Sequence, residues 1–158
     1  AQAYIQEICS KIEATTVISF CENEAANLIF SAFSDRAKKN GIALSIKAVI
    51  PKDMPISESD WCVLLSNALE NALNACQKLA KKGLTGSINV SAFEKNEKLF
   101  LQVANSCEEN ITFSHGIPVT DNPGHGFGVR SICAIIEHYG GIYSFSAQDG
   151  LFTLHMSL

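Results

Sequence analysis

The chain has 158 residues, 47% of them hydrophobic and 18% charged, which suits one ordinary core and excludes a second domain of comparable size, a disordered tail and a solvated coiled coil. Its net charge of −4 comes with no basic block, so it carries no electrostatic footprint for nucleic acid, and no stretch free of charged residues is long enough to span a bilayer. Six cysteines, at positions 9, 21, 62, 76, 107 and 133, show neither Cys-x-x-Cys nor zinc-finger spacing and read as small buried hydrophobes in a reducing compartment.

In chain order, Ile5, Ile8, Cys9 and Ile12 share one face at helical spacing, in a piece that reads as the tail of a longer helix. Nothing in Ala1-Gln2-Ala3-Tyr4 resembles a secretion signal. A second helix is expected from about Glu22 to Lys39, stopping at Asn40-Gly41. Leu44 to Ile50 reads as a strand closed by Pro51 and Pro55. Ser57-Glu58-Ser59-Asp60 matches a capping box and opens a long helix to about Lys82. Two period-2 strands follow, Ser87–Phe93 and Leu99–Ala104, joined by a polar turn. Residues 106 to 123 show neither helical nor strand period, and a loop that long inside a compact domain is usually functional. A helix from about Gly128 to Tyr139 and a hairpin, Ile142–Ala147 and Leu151–Ser157 around Asp149-Gly150, complete the chain. This order predicts an α+β two-layer sandwich, its sheet mixed but largely antiparallel, with helices on one face.

Two motifs carry chemistry. Asn67, Asn71 and Asn74 lie at i, i+4 and i+7 of the long helix and project from one side, opposite an apolar face. Asparagine is a mediocre helix former. The stripe is either a solvated polar face or a set of amide oxygens for a hard cation or an oxygen-rich ligand. The second motif, Gly124-His125-Gly126-Phe127-Gly128-Val129-Arg130, stands where the loop enters a helix. Alternating glycines either hinge the loop or let backbone N–H groups approach an anion, with Arg130 adding positive charge. Neither a P-loop nor a dinucleotide fingerprint fits it.

Together the Asn-x-x-x-Asn helix and the later Gly-x-Gly-x-Gly resemble the N box and second glycine box of the GHKL ATPase superfamily. The closer resemblance is to the catalytic domain of Agr-type sensor histidine kinases, the bacterial peptide quorum-sensing branch. It is carried by Phe20-Cys21-Glu22-Asn23-Glu24-Ala25, Asn40-Gly41-Ile42, Pro51-x-x-x-Pro55, Cys62-Val63-Leu64-Leu65, Glu70-Asn71-Ala72 and Gly124–Gly128, in that order, over about residues 20 to 158.

The resemblance implies a Bergerat-type fold and a kinase that binds ATP with Mg²⁺. Asn71 would give its side-chain oxygen to the metal. Asn67 stands where hydrolytic members carry a glutamate, which favours kinase over ATPase. Residues 106 to 123 would be the ATP lid, with Gly124, His125, Gly126, Phe127, Gly128 and Arg130 around the phosphates. Asn74 takes the place of a phosphate-binding lysine, and Asn105-Ser106-Cys107 that of the first glycine box, so Asn105 would meet the adenine edge. Glu70, about 100° around the helix from Asn71, is either a general base, an outer partner of the metal site or a surface carboxylate. None of His115, His138 and His155 has the setting of a phospho-acceptor.

Residues 1 to 14 would then be the tail of an upstream dimerisation helix and residues 15 to 158 the catalytic domain. The expected partners are a histidine on that helix, in the same or a partner subunit, and a downstream response regulator. Neither nucleic acid nor direct membrane contact is expected of this cytoplasmic domain of a membrane-anchored receptor. A non-catalytic ATP-responsive module and a serine kinase of the anti-sigma-factor type are the alternatives.

Overall fold

The computed structural model describes residues 19–120 and 126–158; the expected helix tail at 1–14, and Gly124 and His125, lie outside them. The order is α1 (Glu24–Lys39), β1 (Ala43–Ala48), α2 (Glu58–Lys81), β2 (Ser87–Lys95), β3 (Lys98–Ser106), β4 (Thr112–Ser114), β5 (Ile117–Val119), α3 (Phe127–His138), β6 (Ile142–Gln148) and β7 (Leu151–Ser157). The main sheet runs β1-β2-β3-β7-β6, with β1 and β2 parallel and every other neighbouring pair antiparallel.

Alternation along the strands decides which face the helices cover. Ile46, Val90, Val103, Leu154 and Phe145 align across the five strands in register and pack into the core. The next row, Ala48, Ala92, Leu101, Met156 and Tyr143, does the same. Against them α2 presents Trp61, Leu65, Leu69 and Leu73, all at most 1% exposed, while α3 presents Ile132 and Ile136 and α1 presents Phe30. The alternate strand positions, including Ser91, Gln102, Ser144 and His155, form the open face. The expected two-layer sandwich with helices on one face is the architecture found.

Local signals set the boundaries. Asn23 caps α1 by accepting the Ala26 N–H (2.9 Å), and Ser57 caps α2 by accepting that of Asp60 (3.2 Å). Each of the three helices among the described residues ends just before a glycine at positive φ (Gly41, Gly83, Gly140).

One expectation needs correction. Residues 112–119, read as aperiodic loop, contain a small hairpin, β4 with β5, turning at His115 (φ 52°) and Gly116 (φ 76°). Two positive φ values in a row make a tight primed turn, which holds strands of three residues, too short to display a period.

Candidate functional site

The asparagine stripe and the glycine motif meet. A Cβ placed on Gly128 would stand 3.2 Å from Asn67 Oδ1 and 3.4 Å from Asn71 Oδ1, so both amide oxygens converge on the bare backbone of the first turn of α3. No protein group among the described residues bonds the amides of Asn67, Asn71 or Asn74. Gly126 caps α3 in the left-handed conformation at φ 99°, a position that favours glycine, and no side chain caps that helix. Phe127 is 66% exposed at the helix start. Arg130 is exposed one turn on, with no ion pair among the described residues.

Asn105 lies farther along α2. It is buried at the end of β3 and its Nδ2 donates to the Ser106 carbonyl (3.0 Å), while its Oδ1 has no hydrogen bond among the described residues. Cys76 of α2 reaches that same carbonyl at 3.9 Å, so the strand end adjoins α2 beyond Asn74. From Asn67 to Cys76 the helix rises about 13 Å. Asn67, Asn71 and Asn74 share one edge of α2, with Gly128 against Asn67 and Asn71, while Asn105 adjoins the helix at Cys76, about 180° around it from Asn67.

Glu70 is engaged by α1. Arg36 of α1 grips it with both guanidinium nitrogens, at 2.6 and 3.0 Å, and this pairing holds its carboxyl below the usual carboxylate range. Sequence periodicity gives no sign of Arg36, because the partners are 34 residues apart. The thiols of Cys76, Cys107 and Cys133 are unpaired and buried, and burial pushes them up, so they are poor nucleophiles. His115 bonds Ser114, His155 bonds Gln102, and His138 meets Tyr139 edge-on.

The donor set suits a hard cation shared with phosphates. Amide oxygens are hard ligands, and Mg²⁺ is commonly held by one or two protein atoms plus phosphates and waters. No group of three His, Cys, Asp or Glu side chains able to hold a metal occurs among the described residues; the oxygen donors that converge here are the amides of Asn67 and Asn71. A separate concavity of about 380 Å³ on the open sheet face, beside Phe93, Phe100 and His155, lies on the other side of the sheet from α2.

The chain is similar to known proteins in family and in fold. The family model described as GHKL domain matches residues 56–158. No curated protein matches the chain. Among solved structures, the nucleotide-free catalytic domain of histidine kinase ThkA superposes with a TM-score of 0.65 at 16% identity, covering 85% of this chain and 90% of that one. The mycobacterial sensor histidine kinase MprB gives 0.58 at 15%, with 84% and 94% covered. Full-length ShkA in complex with AMPPNP gives 0.62 at 16%, with 84% of this chain and 28% of that one. At these identities the likeness is one of fold. No helix among the described residues is long and apolar enough to cross a membrane.

Proposed function

The chain belongs to the GHKL domain family, and from that premise we propose that it is the ATP-binding catalytic domain of a sensor histidine kinase. The observation that carries this reading is the convergence of Asn67 Oδ1 and Asn71 Oδ1 on Gly128, a gap that a side chain at 128 would crowd, its Cβ standing 3.2 and 3.4 Å from the two oxygens. In this reading residues 15 to 158 form the domain, residues 1 to 14 end a dimerisation helix, and the ATP γ-phosphoryl passes to a histidine on that helix. A response regulator acts downstream, and an Agr-type peptide receptor in the membrane is the parent protein.

Each residue has a part. Asn71 would offer its oxygen to Mg²⁺, with Asn67 and Asn74 on the same side of α2. Gly124, His125, Gly126, Phe127 and Gly128, with the Arg130 guanidinium, would bind the phosphates. Asn105 Oδ1 accepts from an amino-purine. When bound, the metal supplies charge neutralisation across the phosphates. Glu70, kept ionised and oriented by Arg36, takes the catalytic carboxylate role. A depressed carboxyl is suited to orienting the acceptor imidazole more than to strong base catalysis, and phosphoryl transfer asks little base chemistry of the protein.

Calorimetry tests the proposal. Asn71→Ala is expected to weaken Mg²⁺-ATP at least about tenfold, a difference of roughly 1.4 kcal/mol. Metal-free ATP should change far less, and Asn74→Ala should remain close to the parent. An Asn71→Ala chain that binds Mg²⁺-ATP like the parent would sink the reading. Given labelled ATP and a histidine-bearing dimerisation fragment, the chain should label the fragment and none of its own histidines. ATP binding without transfer would favour the non-catalytic module, the reading suited by Asn105 in place of a carboxylate.

A further inference from the structure

The hydroxyl of Tyr139 is inserted into the N-cap of α2. Half of the expected capping box is present, the Asp60 N–H donating to Ser57 Oγ at 3.2 Å. In the other half, the third-position side chain normally takes the cap residue's own N–H. Here the Ser57 N–H donates instead to the Tyr139 hydroxyl (3.0 Å), which in turn donates to Asp60 Oδ2 (2.7 Å). That hydrogen bond holds the Asp60 carboxyl below the usual carboxylate range. Tyr139 is the C-cap residue of α3, so one helix completes the cap of another, 82 residues away in the chain.

The two contacts between α2 and α3 stand at opposite ends. Gly128, at the start of α3, meets Asn67 and Asn71, whereas Tyr139, just past its end, meets Ser57 and Asp60. The helices therefore run antiparallel, and about 16 Å of α3 separates the clasp from the cradle. Between them α3 buries Ile132 and Ile136. Apolar burial is non-directional and sets no axial register, while hydrogen bonds have strict geometry.

We propose that Tyr139 is a positioning residue: its clasp on Ser57 and Asp60 fixes the register of α3 against α2 and hence the gap between Asn71 and the Gly128 backbone. The functional half of this inference rests on the nucleotide reading of that gap. With amide oxygens only 3.2 and 3.4 Å from a would-be side chain, a slide of about 1 Å would misplace every group meant to meet the phosphates.

The test uses Tyr139→Phe, Asp60→Ala and Asp60→Asn, read by hydrogen exchange without nucleotide and by ATP affinity with and without Mg²⁺. Tyr139→Phe and Asp60→Ala should speed exchange around Gly128–Ile132 as well as at residues 57–61. They should also shrink the Mg²⁺-dependent gain in ATP affinity about three- to tenfold, the scale of one lost hydrogen bond. Asp60→Asn keeps an oxygen for the tyrosine hydroxyl and should match the parent within about twofold in both readouts. Faster exchange confined to residues 57–61 and 137–141, with an unchanged Mg²⁺-dependent gain, would make the clasp a local cap and overturn the proposal. A parent that binds no ATP overturns the nucleotide reading by itself. Exchange at Gly128 then still decides the register, acceleration upholding it and no change overturning it.

Discussion

Asn23 and Asn27 at the start of α1, and Asn67 and Asn71 in α2, are the same residue type at the same spacing of four, and the structure uses them in opposite ways. The first pair is buried and bonded throughout. Asn23 accepts from the Ala26 N–H and reaches the carbonyls of Pro51 and Lys52. Asn27 accepts from the N–H groups of Phe20 and Cys21 and donates to the Cys21 carbonyl at 2.6 Å. The second pair is half-buried and bonds nothing among the described residues, although both oxygens point at one glycine. A buried amide without partners is costly, so the protein satisfies it. An amide left open at the surface beside bare backbone is available to a ligand. Spacing alone cannot separate the two uses; the partners can.

Substitutions can sharpen or break that contrast. The largest stability effect should come from Asn27→Ala, which strands the Phe20 and Cys21 N–H groups and should cost roughly 2–3 kcal/mol. Urea unfolding measures it, and nucleotide affinity of the folded fraction should hold. A loss below about 0.5 kcal/mol, the floor for a net hydrogen bond, would erase the distinction between the pairs.

Gly128→Ala should show the reverse pattern. Alanine is the better helix former by about 1 kcal/mol, which offsets the tight 3.2 Å approach to Asn67 Oδ1. Melting should therefore stay within a few degrees of the parent while Mg²⁺-ATP affinity falls about tenfold. Undiminished affinity would mean that the gap between α2 and α3 holds no ligand.

The smallest effect belongs to the Arg36–Glu70 pair. Its side chains are 44% and 42% exposed, so solvent screening keeps the stability loss in Glu70→Gln below about 1 kcal/mol. The Glu70 carboxyl is depressed in the folded chain. Its contribution is thus fully present above the unfolded carboxylate range, near pH 4.3, and fades as pH falls through the lower folded value. Parent and variant stabilities should converge in acid; a difference that grows there would contradict the pairing.

Much of the fold was legible in the residues because its signals are local. Asn40-Gly41 and Ser57 through Asp60 bound helices where their chemistry requires, and Asp149 and Gly150 take the positive φ values of a tight hairpin turn. The β4–β5 hairpin was not legible, since strands of three residues carry no period. At the candidate site, the three α2 asparagines were legible as a stripe, and their meeting with Gly128 came through resemblance alone. Arg36 and Tyr139 were invisible for one reason: each acts across a packing contact, 34 and 79 or more residues from its partners. Asn27 was missed because three of its hydrogen bonds go to backbone groups of Phe20 and Cys21, which no side-chain pattern announces.

The strand order also bears on how the chain matures. The hairpins β2–β3 and β6–β7 close through short turns, but they join only when β3 pairs with β7, Phe100 opposite Ser157 and Ser106 opposite Leu151. Both site asparagines of α2 precede that seam in the chain, and Gly128 follows β3. A polypeptide emerging from the ribosome therefore has its amides long before it has the backbone they face. Contacts this distant in sequence are slow to form, so the meeting of Asn67 and Asn71 with Gly128 waits on long-range packing. Copies in which α2 and α3 have not yet met would lack the gap in which the nucleotide is proposed to sit.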